Sequence, residues 1–295
     1  MYQLEKYTGR NSRYTCPNCG KPHEFSRYID NDTREYIADH VGICNRVNKC
    51  GYHFTPKQYF DENGISLKAE NKNVSIRSKN DETHSTHSYK LVEDSRNIDF
   101  LLNCNFILFL NDSFPSDTVE DLIDLYKLGA TDDGDVIFWQ LDHEFNVRAG
   151  KIMFYFRDGH RKKYINWAHA KFQIKDFKLK QCLFGEHLLS DYPKKKICIV
   201  ESEKTAIICQ ALFPDMIWIA SGGINGLNPE KIKVLKDRDV VLWPDIGAYD
   251  KWNAIATKYG FGISDYLERN ASQDEKEHGL DLADFLLKEK TDDSF

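Results

Sequence analysis

The sequence predicts a multi-domain α+β protein that closes with an α/β domain built on a mainly parallel sheet. Three observations predict it. Four cysteines are confined to residues 16–50, an aromatic and basic stretch spans 148–180, and short apolar strands alternate with helices from Lys194 onward. At 295 residues, with 41% hydrophobic and 13% aromatic side chains, the chain has room for two or three folded units. Composition divides it into 1–62, a polar linker over 63–97, a basic domain over 98–193 and the alternating segment 194–295.

The bulk numbers exclude some classes. A net charge of −6 argues against indiscriminate coating of nucleic acid or anionic membrane, yet leaves room for a local basic patch. The opening MYQLEKYTGRNSRY lacks the apolar core of a signal peptide, and no run of 18 apolar residues is present to span a membrane. A cytoplasmic, reducing setting is expected, where clustered cysteines indicate a metal rather than disulfides.

The cluster reads Cys16-x2-Cys19, then 24 residues, then Cys44-x5-Cys50, with Gly20 and Gly51 directly after each pair. Between the pairs, HEFSRYID and REYIADH flank Asn31 and Asp32, which predicts a hairpin. Two glycine-closed turns that deliver four thiolates make a tetrahedral structural zinc site, a zinc ribbon. The second spacing is wide, so His53 or His23 is an alternative ligand to one thiolate. A closed site of this kind stabilises a small module and leaves no position for catalysis. Cys104, Cys182, Cys198 and Cys209 lie in apolar contexts and are expected to be packing residues.

The stretch NKNVSIRSKNDETHSTHS (71–88) is polar and without period, and structure is expected to resume near Ile98. In DTVEDLIDLYKLG, Val119, Leu122, Ile123 and Tyr126 share one helix face, with Asp117 suited to the start and Gly129 to the stop. VIFWQLD and KIMFYF predict antiparallel strands. Residues 148–180 hold ten Lys and Arg against two Asp. Phe154, Tyr155, Phe156, Tyr164, Trp167, Phe172 and Phe177 are interleaved among them, and core packing should claim Phe154, Phe156 and Phe172. Cations that neutralise phosphates beside rings that stack on unpaired bases suit single-stranded nucleic acid. Arg157, Arg161, Lys162 and Lys163 crowd one turn and, together with Trp167, are the expected nucleic-acid contacts.

In the last segment KKKICIVE, MIWIASGG and DVVLW read as strands, and EKTAIICQALF, NPEKIKVLKD and DKWNAIATKYG as helices. Ligands of open parallel sheets bind beyond the carboxyl ends of the strands. Glu201 ends the first strand and Asp245 follows the third, so both belong to one rim. The intervening 43 residues fit a helix, a strand and a helix. Ser221, Gly222 and Gly223 end the middle strand there, where glycine lets backbone approach a phosphate. In GLDLADFLL, Asp281 and Asp284 stand one helical turn apart. Hard divalent cations take oxygen ligands, so Glu201, Asp245 and Asp281 are candidate magnesium ligands, with Asp284 beside them. The bland alternatives are a helix-start charge for Glu201 and for Asp281.

The ordered set IVESEKTA, ASGG, VVLWPD and GLDLADFLL resembles a Toprim domain, the catalytic sheet of DnaG-type primases, topoisomerases and some nucleases. KKYIN followed by CLFGEHLL resembles the elements just upstream of Toprim in primases, and an N-terminal zinc ribbon is the primase arrangement. The chain is similar overall to a group of zinc-ribbon Toprim proteins of bacterial mobile elements. The resemblance implies Glu201 as the acid–base glutamate, Asp245 as a Mg2+ or Mn2+ ligand, and Asp281 and Asp284 as completing the metal site. It further implies a zinc ribbon that scans template and a grip on template–product strands by Arg157, Lys162 and Lys163. Nucleoside triphosphates are the implied substrates, with primer-template and a replicative helicase as implied partners. The chain departs from the pattern in two places. Gly247 stands where a second aspartate is usual, and Thr205 where primases carry a further acid; the wording ESxxTA is nearer the topoisomerase form. Two classes of function follow: a primase-like nucleotidyltransferase, with a Toprim nuclease as its variant, or a DNA-binding accessory module without chemistry.

Overall fold

The computed structural model describes residues 2–9, 12–30, 33–46, 49–63 and 84–292. The chain forms two compact units, Met1–Lys79 and Asn80–Phe295.

In the first unit, β1 (Tyr2–Leu4), β2 (Phe25–Asp30), β3 (Gly42–Cys44) and β4 (His53–Phe54) form an antiparallel sheet in that order, followed by α1 (Pro56–Glu62). The partner of β2 lies further along than the expected REYIADH. That segment does fold back on the end of β2, as the hairpin requires: Ile29 bridges Tyr36, the Asp30 amide donates to Glu35 O at 2.9 Å and the Ile37 amide to Tyr28 O at 3.2 Å, while the expected turn residues Asn31 and Asp32 lie outside the described residues. Strand β3 pairs with the first half of β2, Phe25 to Arg27. Cys44 falls opposite Phe25, both fully buried, and an added Cβ at Gly42 would lie 2.2 Å from the Ser26 carbonyl.

The second unit opens with α2 (Tyr89–Ser95), α3 (Ile98–Leu102), α4 (Asn105–Ser113) and α5 (Ser116–Tyr126). Most of the expected linker, 64–83, lies outside the described residues, but its C-terminal part is structured earlier than expected. Helix α2 is capped by Ser88 and buries Val92, and Ser95 Oγ accepts the indole hydrogen of Trp139 at 2.9 Å. Helix α5 starts one residue before Asp117 and stops at Lys127, which takes the left-handed backbone expected of Gly129.

An antiparallel meander follows: β5 (Gly129–Ala130), β6 (Val136–Leu141), β7 (Val147–Tyr155) and β8 (Arg161–Trp167), with β8 on the edge. All of β6 is buried, because both its faces are covered. Val136 and Phe138 face the large core, while Ile137, Trp139 and Leu141 face a smaller one with Val92 and Ala168. Period-two alternation thus sorts one strand into two cores. Short helices α6 (Ala168–Lys171) and α7 (Leu188–Asp191) lead to the last segment.

There β9 (Ile197–Val200), β10 (Ile217–Ala220), β11 (Val240–Leu242) and β12 (Gly262–Ile263) form an all-parallel sheet in the order β10-β9-β11-β12. Helices α8 (Glu203–Leu212), α9 (Pro229–Ile232, extended by a 3-10 turn) and α10 (Tyr249–Tyr259) connect the strands. Helices α11 (Tyr266–Asn270), α12 (Gln273–His278) and α13 (Leu282–Asp292) close the chain. Ser202 caps α8 by accepting the Thr205 amide, and Gly260 ends α10 with φ 73°. The expected boundary at 193/194 separates two sheets but not two cores. Phe106, Phe138 and Tyr155 share one apolar cluster with Ile199, Trp218 and Trp252. Phe184 pairs by backbone with the edge strand β10 at Ala220 and stacks on Tyr126 at 5.0 Å. No described helix is long and apolar enough to cross a membrane.

Candidate functional site

Strand order determines where the parallel sheet can bind. The chain leaves β9 for β10 on one side and leaves β11 for β12 on the other, so the switch point lies between β9 and β11. Glu201 and Asp245 stand just past the carboxyl ends of those two strands. The Trp243 amide donates to Ile199 O at 2.8 Å, and the Asp245 backbone lies near enough to the Glu201 carboxylate to favour its charged form. Strand pairing therefore delivers both acids to one place.

Glu201 is 7% exposed. Burial, with Asp281 adding to it, pushes its carboxyl up to about 7, against the Asp245 amide and Lys251, which pull it down. Asp245 is pushed well above the usual carboxylate range by burial and then by Glu201 and Asp281. Burial also raises Asp281, while Lys204 opposes the shift. Each of these carboxylates makes its neighbours harder to ionise, a penalty that an added cation would relieve. Glu201 Oε1 and Asp245 Oδ1 are buried and have no hydrogen-bond partner. Such orphaned oxygens fit a hard divalent ion, which would supply the missing partner. Among the described residues no three of these acids bring their oxygens within 4.8 Å of one another, so the site presents two carboxylates rather than a closed cage. Magnesium, which keeps most of its waters, suits that donor set.

Asp281 and Asp284 are engaged differently. The Asp284 amide donates to Asp281 Oδ1 at 2.9 Å, and the Asp281 amide to Asp284 Oδ2 at 3.4 Å, a reciprocal cap on α13. Lys204 Nζ lies 2.7 Å from Asp284 Oδ1 and 3.5 Å from Asp281 Oδ2.

Ser221, Gly222 and Gly223 stand beside the acids. The Gly222 amide donates to Glu201 O at 3.0 Å, and the two glycines have φ 86° and 130°. An added Cβ at Gly223 would meet nothing within 4 Å, so the backbone there borders open space. Gly247, in the place of a second aspartate, turns the chain into α10 with φ 80°. Thr205 is fully buried, and its hydroxyl lies 2.8 Å from Ser202 Oγ in the cap of α8. Neither position offers a carboxylate to the rim.

The basic stretch is partly neutralised by folding. Arg148 pairs with Asp142, Lys151 with Glu203, Arg157 with Asp112, Lys171 with Asp132 and Asp133, and Lys180 with Glu230. Arg157 is exposed but holds Asp112 through Nε at 3.1 Å. Arg161, Lys162 and Lys163 are exposed on the edge strand β8 and take no carboxylate partner among the described residues. Trp167, at the end of β8, is half-buried as the cap residue of α6. Two aromatic expectations are corrected. Phe156 is 51% exposed and Phe172 is 38% exposed, while Tyr155 takes the core position. Tyr155 ends β7 pointing inward, so its neighbour Phe156 falls outside, with Lys162 Nζ 5.1 Å from its ring. Tyr164, 62% exposed, offers a second ring on the same edge.

In the first unit, the sulfurs of Cys16, Cys19, Cys44 and Cys50 all lie within 4.8 Å of one another. Cys16 and Cys50 are separated by 3.7 Å and Cys19 and Cys44 by 4.0 Å. Thiolates at about 2.3 Å from a tetrahedral zinc stand about 3.8 Å apart, so the tetrad fits zinc. Gly20 and Gly51 take φ 66° and 64°, the conformation that the two turns demand. Asn18 Nδ2 and the Tyr52 amide pull the Cys50 thiol down to about 6. His53 is instead held by Tyr28, with Nε2 at 3.0 Å from the phenol oxygen, and His23 Nδ1 faces Arg13 O at 3.3 Å.

The positions that sequence reasoning missed are Lys204, Lys251 and the Lys151–Glu203 pair. Only the charge of Lys204, three places after Glu201, was available as a signal.

A family model described as a zinc beta-ribbon finger matches residues 1–65, and one described as a domain of unknown function (DUF6371) matches residues 104–246. No curated protein matches the chain. Among solved structures, the chain is similar to the primase fragment of the bacteriophage T7 primase-helicase protein, at 13% identity and TM-score 0.38 over 85% of this chain and 88% of that one. It is similar to the RNA polymerase domain of Mycobacterium tuberculosis primase DnaG, at 10% identity and TM-score 0.36 over 66% and 83%. It is also similar to a DnaG primase catalytic domain bound to ssDNA, at 16% identity and TM-score 0.31 over 62% and 65%. At these levels no residue role passes from those proteins to this chain.

Proposed function

We propose that this protein is a Toprim-type, primase-like nucleotidyltransferase that binds single-stranded DNA or primer-template and joins nucleoside triphosphates into short primers. The observation that carries the reading is the pair of donorless buried oxygens, Glu201 Oε1 and Asp245 Oδ1, at the switch point of a parallel sheet. Mg2+ or Mn2+, when bound there, supplies positive charge against the triphosphate and the leaving pyrophosphate. Glu201 and Asp245 would hold the cation through these oxygens, and the Glu201 carboxylate is the group to which the proton of an attacking 3′-hydroxyl can pass. Gly222 and Gly223 let phosphate approach the backbone, while the edge strand β8 supplies Arg161, Lys162, Lys163 and Tyr164 for the DNA backbone and bases. Arg157 and Trp167 belong to the periphery of that surface. The zinc ribbon takes the template-scanning role, and replication of a mobile element beside a replicative helicase is the setting that completes the reading.

A second reading has its own support. Thr205 is spent on the cap of α8, and Gly247 offers no side chain, which reduces the donor set to that of an accessory DNA-binding module. Incubation with single-stranded DNA, labelled nucleoside triphosphates and Mg2+ or Mn2+ separates the readings. Labelled oligomers support the primase; cleavage of the DNA without nucleotides indicates a Toprim nuclease; DNA binding with neither product sinks the enzyme reading.

A further inference from the structure

The inference deepens the cation reading of the Glu201–Asp245 rim and rests on it. We propose that Lys204 is a built-in cation of this site: its ammonium, held by Asp281 and Asp284, stands in for a second divalent ion, so that the rim takes one.

The two pairs of acids differ in what they lack. Both oxygens of Asp281 and both of Asp284 already face donors. Asp281 Oδ1 and Asp284 Oδ2 accept backbone amides, and Asp281 Oδ2 and Asp284 Oδ1 face Lys204 Nζ. Glu201 Oε1 and Asp245 Oδ1 face none. Among these four acids, an unmet demand for a cation therefore exists on the β9–β11 side.

Lys204 is held where it is. Its side chain is 12% exposed, on the first turn of α8, and that turn is fixed by the Ser202 cap. A second divalent ion on Asp281 and Asp284 would have to expel the ammonium from two carboxylates. The expelled ammonium would be left without compensation at a mostly buried position, which is costly. An ammonium is also a compact point charge, and Lys204, mostly buried against its two carboxylates, has already given up most of its water. A site with one metal and one lysine needs fewer carboxylates than a two-metal site, which accounts for Gly247 and Thr205 in positions where acids are usual.

The test counts ions. Zinc-loaded full-length protein is titrated with Mn2+, with free Mn2+ read by its electron paramagnetic resonance signal. The wild-type chain should take one Mn2+, lost by at least tenfold in affinity on Glu201→Gln or Asp245→Asn. Lys204→Met should take a second, and Lys204→Arg should stay at one. Two ions on the wild-type chain, both sensitive to Glu201→Gln, overturn the role of Lys204 and leave the cation reading intact. A folded Lys204→Met chain that still takes one overturns it likewise. No Mn2+ at all on the wild-type chain overturns the rim reading itself, and this inference with it. The wild-type count needs no variant to fold.

Discussion

Lys151 Nζ, on β7, lies 2.9 and 2.8 Å from the two carboxylate oxygens of Glu203, on α8. The pair is almost fully buried, and it ties the antiparallel sheet to the helix that follows Glu201. Glu203 Oε1 also lies 3.9 Å from where a Cβ of Gly222 would be, so the pair backs the glycine loop.

Truncating one partner strands the other charge. Lys151→Met should cost about 3–5 kcal/mol of stability, and Lys151→Met with Glu203→Leu should recover most of it. Urea unfolding of the three chains checks this. Equal stability of Lys151→Met and wild type would mean the pair is not closed in solution.

Zinc should be present at one ion per chain and should depend on all four cysteines. Cys16→Ser, Cys19→Ser, Cys44→Ser and Cys50→Ser each lose it, while His53→Ala and His23→Ala keep it, as elemental analysis would record. Chelation should unfold the first unit, whose buried apolar cluster is little more than Cys16, Phe25 and Cys44.

His87 makes part of the second unit sensitive to acid. It lies against Trp139 and stacks on Phe177 at 4.2 Å, with both ring nitrogens buried and unpartnered. Burial, and then His169, pull its pKa from 6.5 down to about 4. The unfolded chain therefore binds this proton at a higher pH than the folded one. The contribution is complete above about pH 6.5 and is lost as pH falls toward 4. His87→Phe should flatten the stability profile across that window. Parallel profiles for variant and wild type would contradict the assignment.

On the edge strand, Arg161→Ala, Lys162→Ala and Lys163→Ala should each weaken single-stranded DNA and lower the salt slope by about 0.7. Tyr164→Ala should cost about 1–3 kcal/mol with little change of slope. Arg157→Ala, already paired with Asp112, should change least. Fluorescence anisotropy at several salt concentrations measures all five, and slopes that match wild type would remove β8 from the interface.

Legibility in the sequence followed the range of the interactions. The cysteine tetrad, the parallel order of strands and the shared rim of Glu201 and Asp245 were readable, because spacing and period two act locally. Helix α2 was not, since one buried valine in a short polar run has no period; it is defined by Trp139, far along the chain. Phe156 and Phe172 were misplaced because composition does not say which member of an aromatic run faces inward. Half of the ten Lys and Arg of 148–180 were hidden in ion pairs whose partners come from elsewhere, as Asp112 does for Arg157. The pairing of Lys204 with Asp281 and Asp284 spans the whole last segment, which no local pattern reveals.

The central claim is that the Glu201–Asp245 rim performs cation-dependent nucleotidyl transfer. Its most direct test is oligomer synthesis on single-stranded DNA with Mg2+ or Mn2+, comparing wild type with Glu201→Gln and Asp245→Asn at equal DNA occupancy. The prediction is labelled oligomers from the wild-type chain and at least a hundredfold less from either variant. Oligomer yields that are equal in all three chains, or absent from wild type with both metals, would contradict it.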